Sequence, residues 1–187
     1  MNKRFKLLAV LLLFVGLFVI TGCKNDDPTK NFKNPKSISY TTTKGTIKLT
    51  YDDDGTYEVV KNDPYVTLKN KDENFRVDID YNNNTIEQIK KTKEAWKKDK
   101  RYTIIDNVKY GIYEGFVQID NTYATAILYL YLDEESDVLS YIKVSPVMSS
   151  PAEEEIKNGK KPEDVFYNNE KVQQILKTVQ YDKTANK

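Results

Sequence analysis

The sequence predicts an α+β fold, in which a twisted antiparallel β-sheet built from meanders is flanked by a central and a C-terminal α-helix. From Ser37 onward, apolar and polar residues alternate with a period of two, which is typical of half-buried strands. Two segments switch to helical spacing, one near the middle of the chain and one near its end. Strands grouped apart from helices favour this class over an alternating α/β fold.

The first strands lie on either side of an acidic turn. Residues 52–54 are all Asp and Gly55 follows, and Asp-Gly is a strong signal for a β-hairpin. We therefore expect a hairpin over residues 45–60 and a continuing meander to residue 69. The closely spaced carboxylates also suggest calcium, but the loop pattern that ends in a bidentate Glu is missing, so no metal site is predicted.

The next strand is expected over residues 75–81. Its polar residues Arg76, Asp78 and Asp80 alternate with apolar ones and therefore share one face. We interpret this face as solvent-exposed, with Arg76 neutralising the carboxylates. Two carboxylates side by side are also compatible with acid and base chemistry.

A central helix is predicted over residues 86–98. Thr85 and Gln88 have the spacing of a capping box, and Ile86, Ile89 and Trp96 fall on one side of the helix. The other side is rich in lysine, at Lys90, Lys91, Lys93, Lys97, Lys98 and Lys100. A solvated face is the first interpretation, and an acidic partner or wall polymer is the second.

A second meander of strands follows, near residues 102–105, 109–119, 123–132 and 138–144, with a turn expected at Asn107. In its third strand, alanines and leucines form one face, and Tyr123, Tyr129 and Tyr131 lie on the other. A face rich in aromatic rings and hydroxyls either packs a second layer or is displayed for binding. The candidate binding-surface residues are Tyr123, Tyr129, Tyr131 and Trp96.

The chain is expected to close with helices. Ser150 is predicted to cap one helix that Gly159 ends. The spacing of apolar residues then predicts an amphipathic helix over residues 169–181, packed on the alanine and leucine face. One domain therefore spans residues 37–181, and residues 182–187 are expected to fray.

Composition excludes several kinds of site. Histidine is absent and Cys23 is the only cysteine, so the domain has no imidazole base, thiolate nucleophile, disulfide or His/Cys metal site. Lysines are interspersed with Asp and Glu, which argues against a nucleic-acid footprint. No cofactor is predicted.

The first residues form an export signal. A basic start is followed by a 14-residue apolar run over residues 7–20, too short to span a bilayer, which needs about 20 residues. The run ends in Ile20-Thr21-Gly22-Cys23, which resembles the lipobox of bacterial lipoproteins. The resemblance implies cleavage of signal peptide 1–22 between Gly22 and Cys23, and attachment of diacylglycerol, with fatty acids such as palmitate, to the Cys23 sulfur.

Lipidation would hold the domain at the extracytoplasmic face of a cell membrane, since two acyl chains anchor stably where one does not. Residues 23–36 are polar and contain two prolines, so we expect a lipidated flexible tether with a reach of about 20 Å. The bias towards Lys, Asn and Ile favours a Gram-positive cell.

In element order, the domain also resembles the PsbP- and DcrB-like superfamily, a twisted antiparallel sheet flanked by helices. The resemblance depends on the predicted hairpin at residues 45–60, the helix ending at Trp96, and residues 108–115 leading into long strands. It implies binding and assembly roles and transfers no catalytic residue.

Three functions follow as hypotheses. The first is a non-enzymatic lipoprotein that binds an envelope protein or assists assembly. The second is a compact receptor for a small ligand or cell-wall saccharide, in which aromatic rings stack on sugars. The third is a hydrolase that uses the carboxylates of Asp78, Asp80 or Glu114.

Overall fold

The structure is a computed structural model that describes residues 27–62, 65–80 and 82–184. The export signal, the lipobox and Cys23 lie outside the described residues. Within the described part, no helix combines the length and the apolar character needed to cross a bilayer.

Eleven strands and four helices make up this part of the chain. The elements before the second meander are β1 (Pro35–Thr41), β2 (Gly45–Asp52), β3 (Tyr57–Asn62), β4 (Tyr65–Asn70), β5 (Phe75–Asp80) and α1 (Ile86–Trp96). The second meander consists of β6 (Tyr102–Tyr110), β7 (Tyr113–Asp120), β8 (Thr125–Asp133), β9 (Val138–Leu139) and β10 (Tyr141–Pro146). The chain continues with α2 (Ser149–Lys157), α3 (Pro162–Val165), α4 (Glu170–Leu176) and β11 (Gln180–Lys183).

The strands form two antiparallel sheets. The large sheet has the order β3-β4-β5-β10-β8-β7-β6, with β9 paired to β8, and the small sheet has the order β1-β2-β11. This arrangement, with its central and C-terminal helices, confirms the predicted α+β class. The small sheet is a separate layer that the sequence pattern did not reveal.

The predicted hairpin over residues 45–60 is wrong, although its turn is real. β2 pairs with β1 and β11, whereas β3 pairs with β4, so the chain changes sheets at the acidic turn. The turn itself is built as expected, because the Asp53 side chain accepts a hydrogen bond from the Gly55 amide (3.1 Å) and Gly55 has a φ of +88°. Asp-Gly chemistry bends the chain but does not specify which strand becomes the neighbour.

The predicted turn at Asn107 is also wrong. Asn107 lies inside β6, where one extra residue opposes β7 between Ile105 and Val108 and forms a β-bulge. Its φ of +55° explains the turn-like residue type, because Asn tolerates the left-handed region. The chain turns later, at Gly111, where φ is +61°.

Two hydrophobic cores lie on opposite faces of the large sheet. The main core lies between the two sheets and includes Leu49 of β2, Leu128 of β8 and Leu176 of α4. The second core lies under α1, between the helix and the outer face of the large sheet. The capping box that starts α1 is confirmed, since Thr85 and Gln88 bond each other's backbone amides.

The C-terminal segment differs from its predicted form. α4 ends at Leu176, and β11 then pairs with β2 as far as Lys183, where fraying was expected from residue 182. The buried Thr178 hydroxyl accepts a hydrogen bond from the Thr50 amide (2.7 Å), which attaches the chain to β2. The α4 side chains enter the core that the Ala and Leu face of β8 lines, but the helix lies beside β2.

Helix α2 begins without the predicted cap. Its N-cap is Met148, which makes no side-chain capping bond, and Ser150 lies inside the helix. The helix ends as predicted, because Gly159 follows its last turn with a φ of +92°.

Candidate functional site

The four aromatic residues proposed for binding do not form one surface. Tyr129 is only 3% exposed and stacks between Phe116, at 4.9 Å between ring centroids, and Trp96, at 5.7 Å. Tyr131 and Trp96 are half-buried around the same helix, and only Tyr123, in the β7–β8 turn, is well exposed. The tyrosine-rich face of β8 is therefore mainly packed, since α1 covers it.

Three of the six lysines on the lysine-rich side of α1 form ion pairs within the domain. Lys93 and Lys97 place their ammonium groups 2.9 and 2.8 Å from the two oxygens of Asp106, which the β6 bulge directs toward the helix. The bonds to Lys97 and Lys93 lower the pKa of Asp106 below its usual value. Lys91 pairs with Glu87 at 2.7 Å. These pairs leave less free positive charge than the sequence suggested.

The acidic turn is also occupied by internal bonds. Asp52 accepts the Asn34 amide (2.7 Å), and Asp54 accepts Lys171 (2.9 Å). Hydrogen bonds from Thr56 and Lys171 lower the pKa of Asp54 to about 2. Among the described residues, no group of acidic side chains is arranged to hold a metal ion.

On the large sheet, a different surface is left uncovered by the part of the chain that the structure describes. The second core under α1 reaches only as far as Tyr141 of β10, and none of its members in the described chain comes from β3, β4 or β5. On this side the pairing register aligns the polar residues of three neighbouring strands. We call this surface the open face, and its residues are Tyr65, Thr67, Lys69, Arg76, Asp78, Asp80, Tyr141, Lys143 and Ser145.

Strand alternation creates the open face directly. Val77 and Ile79 of β5 point into the main core and are fully buried, so Arg76, Asp78 and Asp80 point the other way. The interpretation of this strand as having a polar outward face is therefore correct in direction. Asp78, however, is only 6% exposed, so it is not a solvated side chain.

A shallow concavity of about 210 Å³ lies in the open face, lined by Tyr65, Arg76, Asp78, Asp80, Tyr141 and Lys143. Asp78 forms part of its floor. One Asp78 oxygen accepts the Thr67 hydroxyl (2.6 Å), and the other lies 3.3 Å from Arg76 Nε. The same Nε donates to the Ser145 hydroxyl at 3.0 Å. Arg76 is thus fixed through Nε, and its two terminal nitrogens have no hydrogen-bond partner among the described residues.

Three other residues of the lining also carry polar groups that are available to a ligand. Neither the Lys143 ammonium nor the hydroxyls of Tyr65 and Tyr141 have a hydrogen-bond or ion-pair partner in the described part of the chain. Burial raises the pKa of Tyr141, and the nearby charges of Asp80 and Asp78 raise it further. The concavity therefore presents two acidic and two basic side chains together with two phenols.

The three carboxylates considered for hydrolysis do not lie together. Asp78 and Asp80 share the concavity, whereas Glu114 lies on β7, lines another depression and is 3.8 Å from Lys109. Both Asp78 oxygens already interact with neighbouring side chains.

Comparisons with known protein families, with curated proteins and with solved structures find no match for this chain. The lipobox and the PsbP-like resemblance stay predictions.

Sequence reasoning found half of the residues that line the concavity. Arg76, Asp78 and Asp80 were grouped correctly, but Tyr65, Tyr141 and Lys143 were not connected with them. The missing information was strand order. Strands β5 and β10 are more than sixty residues apart in the chain but pair directly, so that Tyr141 lies opposite Asp80 and Lys143 lies opposite Asp78.

Proposed function

We propose that this chain is a lipid-anchored extracytoplasmic binding module, lipidated at Cys23, whose open face engages another envelope component. The leading partner is an envelope protein, in a capture or assembly role without catalysis. The open face carries this proposal, because a polar, partly aromatic surface is left uncovered while the other half of the same sheet face is packed under α1.

The proposed anchor keeps the domain close to the membrane. The described chain begins at Asp27, and Asn34 is already held by bonds to Asp52 (2.7 Å) and to the Asp53 carbonyl (3.0 Å). Pro35 and Lys36, assigned to the tether in the sequence, belong to β1. The tether therefore ends by Asn34, and the eleven residues from Cys23 to Asn34 span at most about 40 Å.

Photo-crosslinking in cells tests the protein-binding role. A crosslinking amino acid at Tyr65 should capture one abundant envelope protein, and the same amino acid at Tyr123 should not, because Tyr123 is equally exposed but lies outside the open face. Capture should fall in a Cys23→Ala variant, which cannot be lipidated. Equal capture from both positions would contradict the choice of surface.

The second candidate is a compact receptor for a small ligand or cell-wall saccharide. The concavity favours it, since uncommitted donors and two phenols converge there. Ligand addition should then raise the unfolding temperature of the protein, because a ligand that binds only the folded state stabilises it. An unchanged unfolding temperature across small ligands and saccharides would count against this candidate.

A further inference from the structure

The concavity in the open face contains balanced charge. Arg76 and Lys143 are cationic, and Asp78 and Asp80 are anionic, all within one lining. An anionic ligand would be attracted by the first pair and repelled by the second, and a cationic ligand would meet the reverse. A neutral ligand with many hydroxyls avoids this conflict, because each hydroxyl both donates and accepts hydrogen bonds.

The concavity offers both hydrogen-bond donors and hydrogen-bond acceptors. The terminal nitrogens of Arg76 have no hydrogen-bond partner among the described residues, nor does the Lys143 ammonium. On the acceptor side, the two phenol oxygens are uncommitted, and each Asp78 oxygen has a second lone-pair direction beyond its bond to Thr67 or Arg76. Charged donors and acceptors make the stronger hydrogen bonds to hydroxyls.

Aromatic side chains flank the polar groups. Tyr141 pairs with Asp80 across β10 and β5, and Tyr65 lies on β4, the strand on the other side of β5. Their strands are two spacings apart, about 10 Å between backbones, and Asp80 of β5 lies on the strand between them. A phenol ring offers an apolar face to the C–H groups of a sugar and a hydroxyl to its oxygens.

The size of the concavity sets how much of a ligand it takes. Its volume of about 210 Å³ is smaller than pockets for drug-sized ligands, which hold about 300–1,000 Å³. A volume of this size matches one sugar ring of a longer saccharide, whose neighbouring sugar units would lie over the rest of the open face.

We infer that the concavity lined by Tyr65, Arg76, Asp78, Asp80, Tyr141 and Lys143 binds one unit of an uncharged saccharide. The inference rests on the second candidate of the proposed function, because it takes the open face as the binding surface of a saccharide receptor rather than of a protein partner. Arg76 and Lys143 donate to sugar hydroxyls, Asp78 holds Arg76 in place, and the two tyrosines flank the ring.

Titration of the purified full-length chain in detergent micelles tests this assignment. The neutral probes are tetramers of N-acetylglucosamine and of glucose, and the charged probes are tetragalacturonate and the chitosan tetramer. At least one neutral probe should bind about 10-fold or more tightly than both charged probes, measured by calorimetry or ligand-observed NMR. Tighter binding of a charged probe, or no neutral binding, would overturn the inference.

Matched variants locate the site. Tyr65→Ala and Lys143→Gln should each weaken the neutral probe about 10-fold, whereas Tyr123→Ala and Lys98→Gln, exposed residues outside the open face, should leave its affinity unchanged. Unchanged unfolding temperatures of the ligand-free variants show that the loss is not a folding defect. Equal loss in Tyr123→Ala would overturn the location.

The two proposals fail separately. Capture of a protein from position 65 with no saccharide binding overturns the glycan assignment and leaves the proposed binding module standing. Neutral saccharide binding that depends on Tyr65 supports the glycan assignment even without protein capture. Absence of both results overturns both.

Discussion

The two halves of the outer face of the large sheet differ in what covers them. Over β7 and β8, α1 packs on Phe116 and Tyr129, and that half is a buried aromatic core. Over β4 and β5, the same face carries Arg76 and Asp78 around a shallow concavity. The comparison shows that aromatic residues on a strand face do not identify a binding surface, because a covering helix turns the same residues into core.

The largest effect is expected from the covered half. Phe116→Ala removes a fully buried ring that contacts Tyr129 and Trp96, and it should lower the free energy of unfolding by about 3–5 kcal/mol. Urea unfolding measures the change. A loss below about 1 kcal/mol would mean that α1 does not hold a packed core here.

A smaller loss of stability is expected from Asp78, which forms part of the floor of the concavity in the uncovered half. Asp78→Ala leaves the buried Thr67 hydroxyl without its acceptor and Arg76 without its charged partner, so we expect a loss of about 1–3 kcal/mol. Thr67→Val is the comparison for this one hydrogen bond, because it removes the donor and leaves Asp78 paired with Arg76. Similar stability of Asp78→Ala and the parent protein would show that Asp78 does not organise the concavity.

The attachment of the covering helix can be tested at its first turn. Thr85→Ala removes the capping hydroxyl of α1 and should cost about 1 kcal/mol. Ser150→Ala is a matched control, since Ser150 has the sequence of a cap but makes no capping bond. Equal losses in both variants would contradict the observed difference between the two helix starts.

Acid should weaken the ion pairs that join α1 to β6. The pKa of Asp106 is lowered in the folded protein, mainly by Lys97 and then by Lys93. Its contribution to stability is therefore complete above the unfolded pKa, about 3.9, and is lost as the pH falls through the lower folded value. Between about pH 5 and about pH 2, the free energy of unfolding should fall less steeply in Asp106→Asn than in the parent protein.

The smallest effect is expected at the rim of the open half. Tyr65 is 38% exposed and has no hydrogen-bond partner among the described residues, so Tyr65→Ala should change the free energy of unfolding by about 0.5 kcal/mol or less. Lys143→Gln should behave in the same way. A large loss in either variant would show that these residues support the fold rather than binding.

Local signals in the sequence predicted much of the fold. The Thr85 capping box, the bend at Gly55 and the strand alternation around Asp78 all depend on residues close together in the chain, and each lies where it was expected. The neighbours of β2, the bulge at Asn107 and the strand β11 were missed, because they depend on contacts between distant segments. The candidate site shows the same difference between local signals and distant contacts. Its β5 residues were grouped from the sequence, whereas its β10 residues were not.

By itself, the sequence determined the α+β class and the absence of histidine and cysteine from residues 24–187. It also predicted an export signal and lipidation at Cys23, and these stay predictions. Only the tertiary structure decided that Tyr129 is buried and that Tyr141 and Lys143 join Arg76 and Asp78. The physical reason is that alternation fixes which residues share a strand face, whereas strand order and the position of α1 decide which face meets water.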